Sequence, residues 1–235
     1  MSFSTFLNFI GFSRKSSSHR EKVISTLGGF FGIFAIFMTS FWLLDPKVVV
    51  LIVPSMGATA VLLFAAPHTP FSQPWNVIAG HGFSALIGVA CWQWIPDYTI
   101  AASASVGLAI GVMVVTRSVH PPGGATALAA VIGSEELHNL GYGYELQPIL
   151  LNAFTILLVA LVFNYLFKWR QYPAYLYKIK QAKKSKPENQ GYGAINHEDF
   201  VYALSQIETY VDIDEDDLLK IYGLATKRHV HVNHK

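Results

Sequence analysis

The stretch "VHPPGGATALAA", residues 119–130, sets an imidazole, two prolines and two glycines into an apolar run. On either side of it charge nearly vanishes. Between Lys22 and Lys168 the formally charged residues are Asp45, Lys47, Asp97, Arg117, Glu135, Glu136 and Glu145, and from Val48 to Pro96 there are none. With 52% hydrophobic and 14% charged residues over 235, the chain reads as an integral membrane protein, and soluble globular classes are excluded. Its expected surroundings are the lipid bilayer, with no nucleic acid among its partners.

A helix needs about 20 apolar residues to cross the hydrocarbon. Val23 to Leu44, Val77 to Pro96, Tyr98 to Thr116 and Leu146 to Phe167 meet that length between charges. Two further segments, Val48 to Ala66 and Val119 to Ser134, carry proline near their starts. They contain Pro54-Ser55-Met56-Gly57-Ala58-Thr59-Ala60 and Pro121-Pro122-Gly123-Gly124-Ala125-Thr126-Ala127, both P-x-x-G-A-T-A and 67 residues apart. Each motif follows a full span and precedes a Gln-Pro pair, Gln73-Pro74 or Gln147-Pro148, that opens another. The chain therefore reads as a duplicated three-element unit.

Proline suits the first turn of a helix and spoils its interior, because it lacks an N–H and restricts its predecessor. Each motif is thus expected to start a half-helix of about 13 residues, roughly 20 Å at 1.5 Å per residue, too short to cross alone. Backbone before such a start is non-helical at membrane depth and must be buried in protein or line a polar cavity. A helix end there presents unpaired N–H groups and the positive end of its dipole, and two facing ends make an anion site. The anion-binding candidates are Ser55, Met56, Gly57, Ala58 and Thr59 from the first motif. From the second come Arg117, His120, Pro121, Pro122, Gly123, Gly124, Ala125 and Thr126. The glycines let a ligand approach and the threonines add hydroxyl donors.

Arg14, Lys15, Arg20 and Lys22 precede the first span, and Lys168, Arg170, Lys178, Lys180, Lys183, Lys184 and Lys186 follow the last. Positive charge marks the cytoplasmic side, so both ends are expected there. Six passes put Pro67 to Gln73 and Arg117 inside, with Asp97 and the Glu135 to Glu145 loop outside. Four full spans with two re-entrant half-helices exchange Arg117 and Asp97. The charge bias favours six. The expected fold is all-α: a polytopic helical membrane protein of two inverted three-element repeats, each with a proline-initiated half-helix, plus a small cytoplasmic helical tail. The divisions are residues 1–22, an interfacial N-terminus; 23–170, the membrane domain, with repeats at about 23–96 and 98–168; and 171–235, a basic linker and tail.

Phe3, Phe6, Leu7 and Ile10 fit an amphipathic helix on the inner leaflet, and Asn196 and Asp214 fit N-caps of two tail helices. "DIDEDD", residues 212–217, lacks the sixth-position glycine of a calcium loop, and His229, His231 and His234 sit at a terminus, so no metal or other cofactor is expected. Cys91 stands alone and permits no intrachain disulfide. Gly28 with Gly32 and Gly107 with Gly111 have small-x-x-x-small spacing, which more often packs helices within a protomer and leaves a homo-oligomer open.

"PSMGATAVLLF", "QPWNVIAGH" and "HPPGGATA", in that order over about residues 20–170, resemble the HPP family of integral membrane proteins, named after the tripeptide at His120. The resemblance implies a bacterial or plastid membrane protein, here one of the bacterial inner membrane. The family's plant and cyanobacterial members are associated with nitrite transport. It also implies four transmembrane segments. Some relatives carry a regulatory domain after the membrane part, for which this tail is too short.

His120 could simply bond a backbone carbonyl at a helix start, but an ionisable group inside a bilayer is costly and is first considered functional. Arg117 has an equal claim as a residue snorkelling at a helix end. His81, beside Gly80, fits a helix-packing hydrogen bond or a second proton stop. Gln73 and Asn76 fit caps that support the pocket. No nucleophile with a base and no metal triad stands out, so an enzyme is not expected. The leading expectation is a transporter of a small inorganic anion, nitrite by the family resemblance. The rivals are a passive anion channel and a scaffold acting through the tail. A negative interior opposes anion entry by about 2.3 kcal/mol per charge per 100 mV, so concentrative uptake needs a cation carried in. With no carboxylate in the spans, His120 and His81 are the candidate proton carriers.

Overall fold

The computed structural model describes residues 18–43 and 46–176. The expected N-terminal interfacial helix, the tail helices after Asn196 and Asp214, and the terminal histidines lie outside the described residues. Every regular element among the described residues is helical. α1 spans His19–Leu43, α2 Pro46–Ala65, α3 Pro74–Trp94, α4 Tyr98–Val115, α5 Pro121–Ile132, α6 Glu135–Asn139 and α7 Leu151–Tyr165, with a 3-10 turn at Pro70–Ser72 and a π turn at Glu145–Leu150. α1, α4 and the helix Pro148–Tyr165 are each long and apolar enough to cross a membrane.

Local chemistry fixes the helix starts. The Ser18 hydroxyl accepts the Glu21 N–H at 3.2 Å before α1, and the Asp97 side chain accepts the Ile100 N–H at 2.9 Å before α4. Proline opens α2, α3 and α5, where its missing N–H costs nothing. His120 and Pro121 begin a helix of 12 residues, about 18 Å long and preceded by a non-helical segment, as the second motif predicts.

The first motif behaves differently. α2 starts at Pro46 and runs through Pro54, so no half-helix begins there. Pro46 already supplies a first-turn proline, and the internal Pro54 forfeits one bond to the carbonyl four residues back, which a packed membrane helix tolerates. Pro148 likewise lies inside a helical turn instead of opening one.

Small residues bring the helices together. A Cβ on Gly28 or Gly32 would lie 2.5 Å from the Phe64 ring, so this pair packs α1 onto α2 within the protomer. Nothing lies within 4 Å of the corresponding positions on Gly107 and Gly111. α3 and α5 meet through Gly80, Ser84 and Gly88 on one side and Gly123, Ala127 and Ala130 on the other. Ile36, Met56, Leu63, Phe64, Val77 and Ile156 fill the core. Phe30, Phe34, Trp42, Leu108, Val115 and Leu158 are exposed, the outward apolar surface a bilayer requires.

The two ends are distinct. Arg170, after α7, bonds Glu21 at the start of α1 and the Phe64 carbonyl at the end of α2. Its Nε donates to Asn164 Oδ1 at 3.1 Å. Tyr172 donates to the Ser72 carbonyl at 2.6 Å, and Trp75 Nε1 to the Thr116 carbonyl at 3.3 Å. Residues 66–73 and Arg117 therefore lie at the end that holds the start of α1 and the end of α7. At the far end of α3, Trp92 stacks on His138 with centroids 3.7 Å apart.

Candidate functional site

Three helices and the 3-10 turn converge on two imidazoles. His81, about two turns into α3, and His120, the N-cap of α5, are both fully buried, with ring centroids 4.8 Å apart and planes at 66°. Thr59 Oγ1 from α2 lies 2.8 Å from His81 Nε2 and 3.0 Å from His120 Nε2. Thr126 Oγ1 from α5 lies 2.7 Å from His81 Nδ1, and the Phe71 carbonyl lies 2.8 Å from His120 Nδ1. The two threonines at matching positions of the duplicated motif thus hold opposite nitrogens of one ring. Each also faces the carbonyl four residues back, Ser55 at 3.1 Å and Pro122 at 3.4 Å.

The proton positions follow from one acceptor. A carbonyl only accepts, so His120 Nδ1 carries the hydrogen bonded to Phe71 and, in the neutral ring, Nε2 is bare. The Thr59 hydroxyl then donates to His120 Nε2, His81 Nε2–H donates to Thr59, and the Thr126 hydroxyl donates to the bare His81 Nδ1. All four contacts are satisfied with both rings neutral. The partners of the rings are hydroxyls, a carbonyl and each other, with no carboxylate among them. Among the described residues no group of three or more His, Cys, Asp or Glu could hold a metal ion.

Glycine lets the rings meet. A Cβ on Gly80 would stand 2.5 Å from His120 Cβ and 2.9 Å from the Ser118 carbonyl, so the segment before α5 closes on α3 only over a bare backbone. Gly123 is similarly confined, since a Cβ there would stand 2.8 Å from the Gly80 carbonyl and the Ser84 hydroxyl. Asn76 donates to the Val119 carbonyl at 3.0 Å, which ties down the residue before His120. Gln73 donates to the carbonyls of Pro67 and Thr69 and accepts from the Ala174 N–H, so it fixes the turn that presents Phe71. Neither caps α3 with its side chain.

The remaining candidates scatter. Met56, Ser55, Pro122 and Gly123 are buried in helix packing, Gly57 and Gly124 are half-buried, and Ala58, Pro121 and Ala125 are exposed. Arg117 is exposed with left-handed backbone, φ 53°, and no bond joins it to His120. The expected row of unpaired N–H groups at α5 is curtailed, because Pro121 and Pro122 have none and Gly123 N–H already donates to the His120 carbonyl at 2.8 Å. The Phe71 carbonyl and the steric role of Gly80 escape a reading by motif, although a glycine directly before a buried histidine is a legible sign of close approach.

A cavity of about 240 Å³ opens at the basic end, lined by Glu21, Pro67, His68, Thr69, Trp169 and Arg170. The turn that lines it also presents the Phe71 carbonyl to His120. Burial pulls the Arg170 guanidinium below its ordinary range and the Glu21 carboxylate opposes that pull.

A polytopic helical membrane protein with a buried histidine pair at the start of a short helix is the class these features define. The chain belongs to the HPP family: the family model "HPP, transmembrane region" matches residues 14–173. It is 36% identical over 155 residues to one transmembrane protein of Dictyostelium discoideum, covering 64% of this chain and 50% of that protein. It is 42% identical over 136 residues to another from the same organism, covering 56% and 47%. The chain spans about half the length of these curated relatives. No solved structure matches it.

Proposed function

We propose that the chain carries a small inorganic anion across a membrane, nitrite by the family resemblance, together with a proton taken up by His120 and His81. One observation carries the reading: two imidazoles are buried together in the membrane domain with no carboxylate among their hydrogen-bond partners. A proton added there is an uncompensated charge in a medium of low dielectric, which is costly until an anion enters beside it. The positive end of α5 opposes the proton and attracts the anion in the same place. Binding of each therefore favours binding of the other. The anion is held chiefly by imidazolium, since two prolines and an occupied Gly123 N–H leave α5 few backbone donors. Both rings are buried, so the anion reaches them when the 66–73 turn and α5 part, with the cavity at Arg170 as the approach.

Both basic ends are placed on the cytoplasmic side by the same proposal. Relatives in Dictyostelium are not bacterial, so the bacterial inner membrane rests on the family resemblance alone. The test is flux of nitrite, formate, bicarbonate and chloride into proteoliposomes holding the full chain. Saturable uptake of one or more, faster as the outside is acidified, supports the reading. Flux that is linear in concentration and indifferent to pH identifies a passive channel instead, and no flux of any of the four removes the transport reading.

A further inference from the structure

We propose that Thr59 is a two-position hydroxyl switch that lets the histidine pair bind one proton, loaded at His120 Nε2. With both rings neutral, the Thr59 hydrogen points at His120 Nε2, 3.0 Å away. A proton arriving from water forms a new N–H at that nitrogen, and its donor becomes water or hydroxide. Thr59 keeps its own hydrogen and turns it to the Ser55 carbonyl, 3.1 Å away. Its oxygen then accepts from both His120 Nε2–H and His81 Nε2–H, within the two lone pairs a hydroxyl has. One torsion changes and no donor is stranded.

The alternative store is His81 Nδ1, whose filling would turn the Thr126 hydroxyl to the Pro122 carbonyl, a longer 3.4 Å. The geometry therefore loads His120 first. A second proton would set two imidazolium rings 4.8 Å apart. The groups facing the pair are Thr59 and Ser55 of α2, Thr126 and Pro122 of α5, and the Phe71 carbonyl. Tyr144, the further titratable group nearby, donates to the Thr126 carbonyl. None carries negative charge, so the capacity is one. This gives the coupling reading a carrier of fixed stoichiometry and rests on that reading for its purpose, while its test needs no transport.

The experiment is nitrogen NMR of the full chain, ¹⁵N-labelled in histidine and held in lipid nanodiscs, with the two rings assigned by His81→Gln and His120→Gln spectra. At neutral pH without added anion, His120 is expected as the Nδ1–H form and His81 as the Nε2–H form. On acidification with nitrite present, His120 alone of the two becomes imidazolium. Thr59→Val removes the acceptor of His81 Nε2–H and should drive His81 to its Nδ1–H form, bonded to Thr126. Thr59→Ser should leave the native forms, and Thr126→Val should leave His81 as Nε2–H. The proposal is overturned if native His81 carries its hydrogen on Nδ1, if both rings charge together, or if Thr59→Val leaves the His81 form unchanged. Absent nitrite flux with the expected ring forms would instead remove the transport reading and leave the switch.

Discussion

Gly80 and Gly57 look alike in sequence, each a glycine in an apolar helix, yet their surroundings assign them opposite consequences. A methyl on Gly80 meets His120 Cβ at 2.5 Å, with backbone behind it, and neither can yield cheaply. Gly80→Ala is therefore expected to destabilise the protein by about 1–3 kcal/mol and to lower the thermal midpoint in detergent. Unchanged melting would show that His120 does not sit where the structure has it. A Cβ on Gly57 would meet nothing within 4 Å beyond its own helix backbone, so Gly57→Ala should keep or raise stability by up to about 1 kcal/mol through helix propensity. Gly57→Val then tests the first motif as part of the anion path: reduced nitrite flux at unchanged melting supports it, and normal flux removes Gly57 from the path. Arg117, exposed in left-handed backbone, makes a weaker claim on the site than its spacing from His120 promised.

Two copies of P-x-x-G-A-T-A did not become two copies of one element. The signal inside the motif is the same; what differs is the chain before it. "VVVLIV", residues 48–53, can continue a helix opened by Pro46, so the bond lost at Pro54 is one among many. "RSV", residues 117–119, follows a helix already ended, and Pro121 can then only start a new one. Span positions were legible because charge gaps and prolines bound them, and α1, α3, α4 and α5 fall within a few residues of those bounds. The threonines were legible as donors but their target was not, since no local signal says that α2 and α5 close on the same ring of α3. The glycine pairs differ in the same way. Gly32→Ala should lower the melting temperature, because its methyl meets the Phe64 ring, itself wedged edge-on against Phe163 at 5.7 Å. Gly107→Ala and Gly111→Ala should leave the protomer's melting intact. If they alter the sedimentation of the purified protein, that open face of α4 is an oligomer contact.

At the scale of the whole molecule, the arrangement predicts which loops share a side. Single cysteines at Gln73 and Arg117 in a Cys91→Ser background should label from the side that labels the chain ends, and one at Asp97 from the other. Asp97 labelling from the side of the chain ends, with Arg117 labelling from the other, would restore the four-span arrangement. The same architecture places the histidine pair nearer the basic end, behind the turn at residues 66–73, where the proposed coupling would bring proton and anion together. The most direct measurement of that coupling is nitrite accumulation in proteoliposomes under an imposed pH gradient, acid outside, with the membrane potential clamped to zero and protein-free vesicles correcting for nitrous acid diffusion. The native chain should concentrate nitrite inside in proportion to the gradient, and His120→Gln should lose that dependence. Nitrite that merely equilibrates in the native protein, or accumulates equally with His120→Gln, would contradict the account.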